Sequence, residues 1–148
     1  MEQVRFDDVD GINALAGEVG AWGEAVEVTP EMVDRFAALT GDHRHRFLVV
    51  ALIPPMAPPG LERIVGYSSA PNYGAERVRF LAPVPAGSAL RARCQVLRAE
   101  RRPKGTLVTF EIEVGVVGSE EPALLYALQL LYMGTGQERG EGACGPSA

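Results

Sequence analysis

Residues 90–116 constrain the fold more than any other stretch, because two runs of period-two alternation flank a polar turn there. Leu90, Ala92, Cys94 and Val96 alternate with Arg91, Arg93 and Gln95. Val108, Phe110, Ile112, Val114 and Val116 alternate with Thr109, Glu111 and Glu113. Successive side chains of a strand point to opposite faces, so each segment has one buried and one wet face. Arg101-Arg102-Pro103-Lys104-Gly105 is a polar turn between them, which makes them antiparallel neighbours. Residues 123–133 are apolar on both faces apart from Gln129, and so belong centrally in the sheet or at a subunit contact. Tyr126 and Tyr132 share one face of that strand with Leu124, Leu128 and Leu130, which argues for core.

The first half supplies helices. Thr29-Pro30-Glu31 is a helix start, with Thr as cap, Pro in the first turn and an acid near the positive end. Met32, Val33, Phe36 and Leu39 recur at helical spacing, predicting a core face, and Gly41 ends the helix. Residues 47–53 are apolar all round, so a helix there must be wrapped on most sides; a buried strand reads alike at this length. Pro54, Pro55, Pro58, Pro59 and Gly60 argue against any regular element after it. Residues 7–16 suit a short helix capped by Asp8 or Asp10, and residues 24–28 a short strand. The fold expected is α+β: a single domain over residues 1–134 in which one curved antiparallel sheet wraps one central apolar helix. A polar, Gly-rich tail from 135 to 148 is expected to be disordered. The doubly apolar last strand predicts a homodimer.

With 148 residues, 47% apolar and 22% charged, the chain can bury a core without staples. No apolar run reaches the roughly eighteen residues of a spanning helix, which argues against a membrane protein. The N-terminus is acidic and has no apolar run, so no secretory signal is expected. Cys94 and Cys144 have neither metal-ligand nor redox spacing. The expectation is a cytoplasmic protein with reduced thiols, no metal and no cofactor. Net charge is −5, unevenly spread. Residues 1–42 hold ten acids and two bases, and residues 43–104 hold three acids and eleven bases. A basic middle can meet the phosphates of a CoA- or carrier-linked substrate, or simply lie beside acidic neighbours in the fold. Nucleic acid is excluded as a partner by the acidic total and the lack of aromatics among the basic positions.

Two segments resemble the MaoC-like dehydratases, particularly their NodN-like branch. One is Val28-Thr29-Pro30-Glu31-Met32-Val33-Asp34-Arg35-Phe36-Ala37-Ala38-Leu39-Thr40-Gly41-Asp42-His43. The other, more specific, runs Asn72-Tyr73-Gly74-Ala75-Glu76-Arg77-Val78-Arg79-Phe80-Leu81-Ala82-Pro83-Val84-Pro85-Ala86-Gly87-Ser88. The resemblance covers most of residues 20–133. It implies a hotdog fold, usually dimeric, that handles small-molecule, carrier- or CoA-linked acyl substrates. In that family an Asp and a His add water to an enoyl thioester or remove it. Such chemistry needs a base for the water, a proton for the α-carbon and a fixed donor for the thioester oxygen.

The chain departs from the family motif of Gly-Asp, four residues, then His. Gly41 and Asp42 are present, but Phe47 occupies the histidine position. Alignment places His45 and Phe47 at the start of the hotdog helix, with Arg46 replacing its glycine and the loop bearing the catalytic His deleted. Three functions follow. The cavity is repurposed to fold an acyl or polyketide-type chain for cyclisation, isomerisation or dehydration, with Arg44 and Arg46 at its mouth. Alternatively, Asp42 with His45 forms a rebuilt dyad, or the domain is a non-catalytic binder or partner subunit. Candidate catalytic residues are Asp42 and His45; candidate substrate-binding residues are His43, Arg46, Phe47, Asn72 and Tyr73. Competing structural roles are a turn for Asp42, solvated surface for His43 and His45, and strand-start packing for Asn72 and Tyr73.

Overall fold

The computed structural model describes residues 2–135. In chain order the elements are β1 (Val4–Arg5), α1 (Val9–Asn13), β2 (Val26–Glu27), α2 (Pro30–Thr40), α3 (Arg46–Ala51), α4 (Ile53–Met56), β3 (Ile64–Val65), β4 (Asn72–Phe80), β5 (Ala89–Arg102), β6 (Gly105–Val116) and β7 (Pro122–Tyr132). Five strands form one sheet in the order β2-β5-β6-β7-β4, and β1 pairs with β3 in parallel. The hairpin runs from Leu90 opposite Val116 to Arg102 opposite Gly105, so Pro103 and Lys104 make the turn. β7 lies between β6 and β4, the central place its two apolar faces require.

Alternation sorts the two faces as expected. Leu90, Ala92, Cys94, Ile112, Val114 and Leu124 pack on Val49, Ile53 and Met56 of α3 and α4. Further along, Val96, Val108, Phe110 and Tyr132 pack on Phe6, Ile12 and Ile64. Across the outer face Arg93 meets Glu113 at 3.2 Å, and Glu111 receives Arg77 at 3.2 Å and Gln95 at 3.1 Å. The basic strands thus lie beside acidic neighbours, each exposed pair contributing at most about 1 kcal/mol. The guanidiniums of Arg91 and Arg93 each lie over the Trp22 ring, 4.4 Å from its centroid.

The two sheet edges differ. Backbone N–H groups of Gly17, Gly20 and Gly23 donate to the carbonyls of Val96, Cys94 and Ala92 at 3.3, 2.9 and 2.8 Å. The same segment continues into β2, which pairs with β5 at Val26 and Glu27. Gly23 is required there, since a Cβ would strike the carbonyl oxygens of Met56 and Ala57. At the opposite end, β4 closes the order, and no strand pairs with its outer edge among the described residues.

Three expectations need correction. The apolar helix is two short pieces meeting at Leu52, and it is not enclosed: Val49, Ile53 and Met56 are buried, while Phe47 is 58% exposed. Pro54 and Pro55 do not exclude regular structure, because they sit in the first turn of α4, where no intrahelical N–H is needed. The α2 face is only partly core, with Val33 packed against the buried cluster. Met32, Val33 and Phe36 are only half-buried and Leu39 is 86% exposed. The α2 termini behave as expected: Thr29 Oγ1 accepts from Met32 N at 3.1 Å and Gly41 is left-handed at φ 78°. The tail expected from 135 lies, after Thr135, outside the described residues.

Candidate functional site

Where α2 ends, Thr40 Oγ1 donates to the Phe36 carbonyl at 2.6 Å and accepts from Asp42 N at 3.1 Å. Asp42 Oδ1 accepts from Arg44 N at 2.9 Å, closing a side-chain turn over the next residues. The connection to α3 is only Gly41 to His45. His45 sits at the α3 start in the left-handed region, at φ 47°, an uncommon conformation for a side chain of its size. What holds it there is long-range: its Nε2 lies 2.7 Å from the Val84 carbonyl oxygen. A carbonyl can only accept, so Nε2 is the donor of this bond. Nδ1 is buried and has no hydrogen-bond partner.

These residues border a cavity of about 270 Å³ between α3, β7 and the segment after β4. Arg44, His45 and Arg46 supply its polar side, and Val49, Phe80, Ala82, Pro83, Val84, Ala123 and Leu124 its apolar wall. Arg44 and Arg46 are exposed and so stand at its open side. The Arg46 guanidinium lies 5.7 Å from the Phe80 ring centroid, and Phe47 meets the same ring edge-on at 5.2 Å and 75°.

Of the residues singled out in the sequence, His45 and Arg46 line the cavity, and Phe47 backs it through Phe80. Asp42 and His43 flank it without lining it; His43 is exposed, and Asn72 and Tyr73 are exposed at the start of β4. Among the described residues no hydrogen bond or ion pair joins Asp42 to His45. Val84, as the partner of His45, had no local signal, since 39 residues separate the two. Phe80 and Ala82 lie in the strand-and-turn segment read for its family likeness, where nothing marked them as cavity wall. Among the described residues no cluster of His, Cys, Asp and Glu is placed to hold a metal, and no helix is long and apolar enough to cross a membrane.

No protein-family model matches the chain. It is 34% identical to the 3-hydroxyacyl-thioester dehydratase Z of Mycobacterium tuberculosis, over 80% of this chain and 91% of that protein. The chain belongs to the MaoC-like hotdog dehydratase family. Nodulation protein N of Rhizobium leguminosarum, 33% identical over 84% of this chain and 88% of that protein, places it beside the NodN-like members. The fold agrees: the MaoC-like dehydratase structure from Rhodospirillum rubrum matches with a TM-score of 0.62 at 13% identity, over 81% of this chain and 93% of that one. The dehydratase Z alignment has 138 positions but takes in 80% of 148 residues, about 118, so about 20 positions face gaps in this MaoC-like chain.

Proposed function

We propose that this MaoC-like protein binds an acyl or polyketide-type chain in the α3 cavity and guides its cyclisation or isomerisation without the Asp–His dyad. The observation that carries the proposal is the state of the two candidate bases. Asp42 Oδ1 accepts from the Arg44 N–H, at the side of the cavity rather than in its wall. His45 has Nε2 bonded to Val84 and Nδ1 sealed from solvent. Asp42 does not line the cavity and His45 presents it no exposed basic nitrogen, while two guanidiniums and an apolar wall do border it. Holding a flexible chain in a near-reactive conformer lowers a barrier with no acid or base, and a guanidinium on a carbonyl oxygen stabilises charge developing there. The cavity volume is just under the usual small-molecule range of about 300–1,000 Å³, which favours a short chain. A homodimer in the cytoplasm belongs to the same proposal, with exposed Phe47 and the open β4 edge as its motive.

The dehydratase relatives favour a second possibility, a dyad rebuilt from Asp42 and His45. Absorbance loss from short and medium trans-2-enoyl-CoA, for the native protein and Asp42→Asn, separates the two. The expected result is no Asp42-dependent turnover. Hydration that vanishes in Asp42→Asn would show that the dyad works and would overturn the proposal.

A further inference from the structure

We infer that the ligand of the α3 cavity is an apolar chain bearing its own carboxylate, which Arg44 and Arg46 hold at the cavity mouth. This rests on the cavity being an acyl-chain site and adds the chemical class of what enters it. The guanidiniums of Arg5, Arg35, Arg77, Arg93, Arg98 and Arg102 each meet a carboxylate of the chain. Among the described residues those of Arg44, Arg46, Arg63, Arg79, Arg91 and Arg101 meet none, and of these Arg44 and Arg46 border the cavity, which no described acidic side chain lines. The nearest acid in sequence, Asp42, accepts from a backbone N–H instead. Arg46 rests over the Phe80 ring, which orients its head without neutralising it.

A guanidinium offers five N–H donors and no acceptor. The rest of the wall is alkyl and aromatic, so the site supplies cationic donors on one side and an apolar surface on the other. A carboxylate on a short chain matches both halves, and its two oxygens suit planar guanidinium donors. The phosphate of a pantetheine arm lies many bonds beyond any acyl chain it carries. The two arginines border the same 270 Å³ as the apolar wall, so the anion they hold sits directly on the chain.

The test is calorimetric titration of the full chain with octanoate, octanamide, octanoyl-pantetheine and octanoyl-phosphopantetheine. The proteins compared are the native chain, the Arg44→Gln/Arg46→Gln double variant and Ala82→Trp, whose ring fills the half-exposed rim. Octanoate should bind at least about tenfold more tightly than octanamide, the discrimination expected of a charge-assisted hydrogen bond. That preference should shrink with added salt and disappear in the double variant, whose melting temperature should be unchanged, and Ala82→Trp should abolish binding. Equal affinity for octanoate and octanamide, both lost in Ala82→Trp, would overturn the carboxylate inference and leave the acyl cavity standing. A preference for octanoyl-phosphopantetheine over octanoyl-pantetheine, with none for octanoate, would assign the arginines to a phosphate and overturn it too. Octanoate binding that survives Ala82→Trp would place the site elsewhere. No binding of any probe would sink both the inference and the cavity reading beneath it.

Discussion

His45 combines a left-handed backbone with one long-range hydrogen bond, and substitutions can weigh the two separately. In His45→Ala the bond to Val84 is lost while the strained φ of 47° remains. A net hydrogen bond contributes about 0.5–1.5 kcal/mol, and a buried acceptor left alone costs about 1–3 kcal/mol. The cavity beside Val84 can admit water to its carbonyl, which puts the expected loss at about 1–2 kcal/mol. For a domain of this size that is a fall of about 2–8 °C in Tm. His45→Gly loses the same bond but sheds the left-handed strain, about 1 kcal/mol. It should therefore melt above His45→Ala, close to the native protein. Thermal and urea denaturation of the three proteins make the comparison. If His45→Ala melts with the native protein, the Val84 bond holds nothing. If turnover then also vanishes, His45 acts as a base rather than a clamp and the mechanism must be rebuilt around it.

Burial, reinforced by Glu62, pushes the Cys94 thiol from 9.0 up to about 11. The folded chain holds that proton more tightly than the unfolded one. Its contribution is thus complete below about pH 9 and is lost as pH rises through about 9 to 11. Urea midpoints should fall over that window in a Cys144→Ser background and stay flatter when Cys94→Ala is added; parallel curves would contradict the assignment. Light scattering at micromolar concentration should give twice the chain mass, and a monomer there would remove the proposed dimer.

The strands were legible because each needs only local information. Alternation from Leu90 to Val96 and from Val108 to Val116 fixes which face is buried, whatever packs on it. Capping is equally local, so Thr29 and Gly41 marked both ends of α2. The extent of burial was not legible, because it depends on what else reaches the surface. Residues 47–53 looked fully wrapped, yet one domain covers only the side bearing Val49 and Ile53. Likewise Leu39 has the spacing of a core residue but extends past the reach of the sheet. At the site, the sequence identified the cluster from Asp42 to Phe47 but not its partners. His45 looked equally like a base, a surface residue or a helix-start residue until Val84 engaged it. Asp42 resolves to a turn because the nearest donor, Arg44 N, takes its oxygen.

The unequal treatment of the sheet edges limits how copies can add to one another. Residues 17–28 give N–H groups to the carbonyls of Ser88, Ala92, Cys94 and Val96, so the chain's own backbone covers that stretch beside β5. The long strand β4 has no strand beside its outer edge among the described residues. A unit with a single open edge can be joined once, after which both edges are spent. A two-fold pairing of β4 with β4 would use that edge on both copies at once, and it is Gly17, Gly20 and Gly23, rather than surface charge, that keep another strand off the covered stretch of β5.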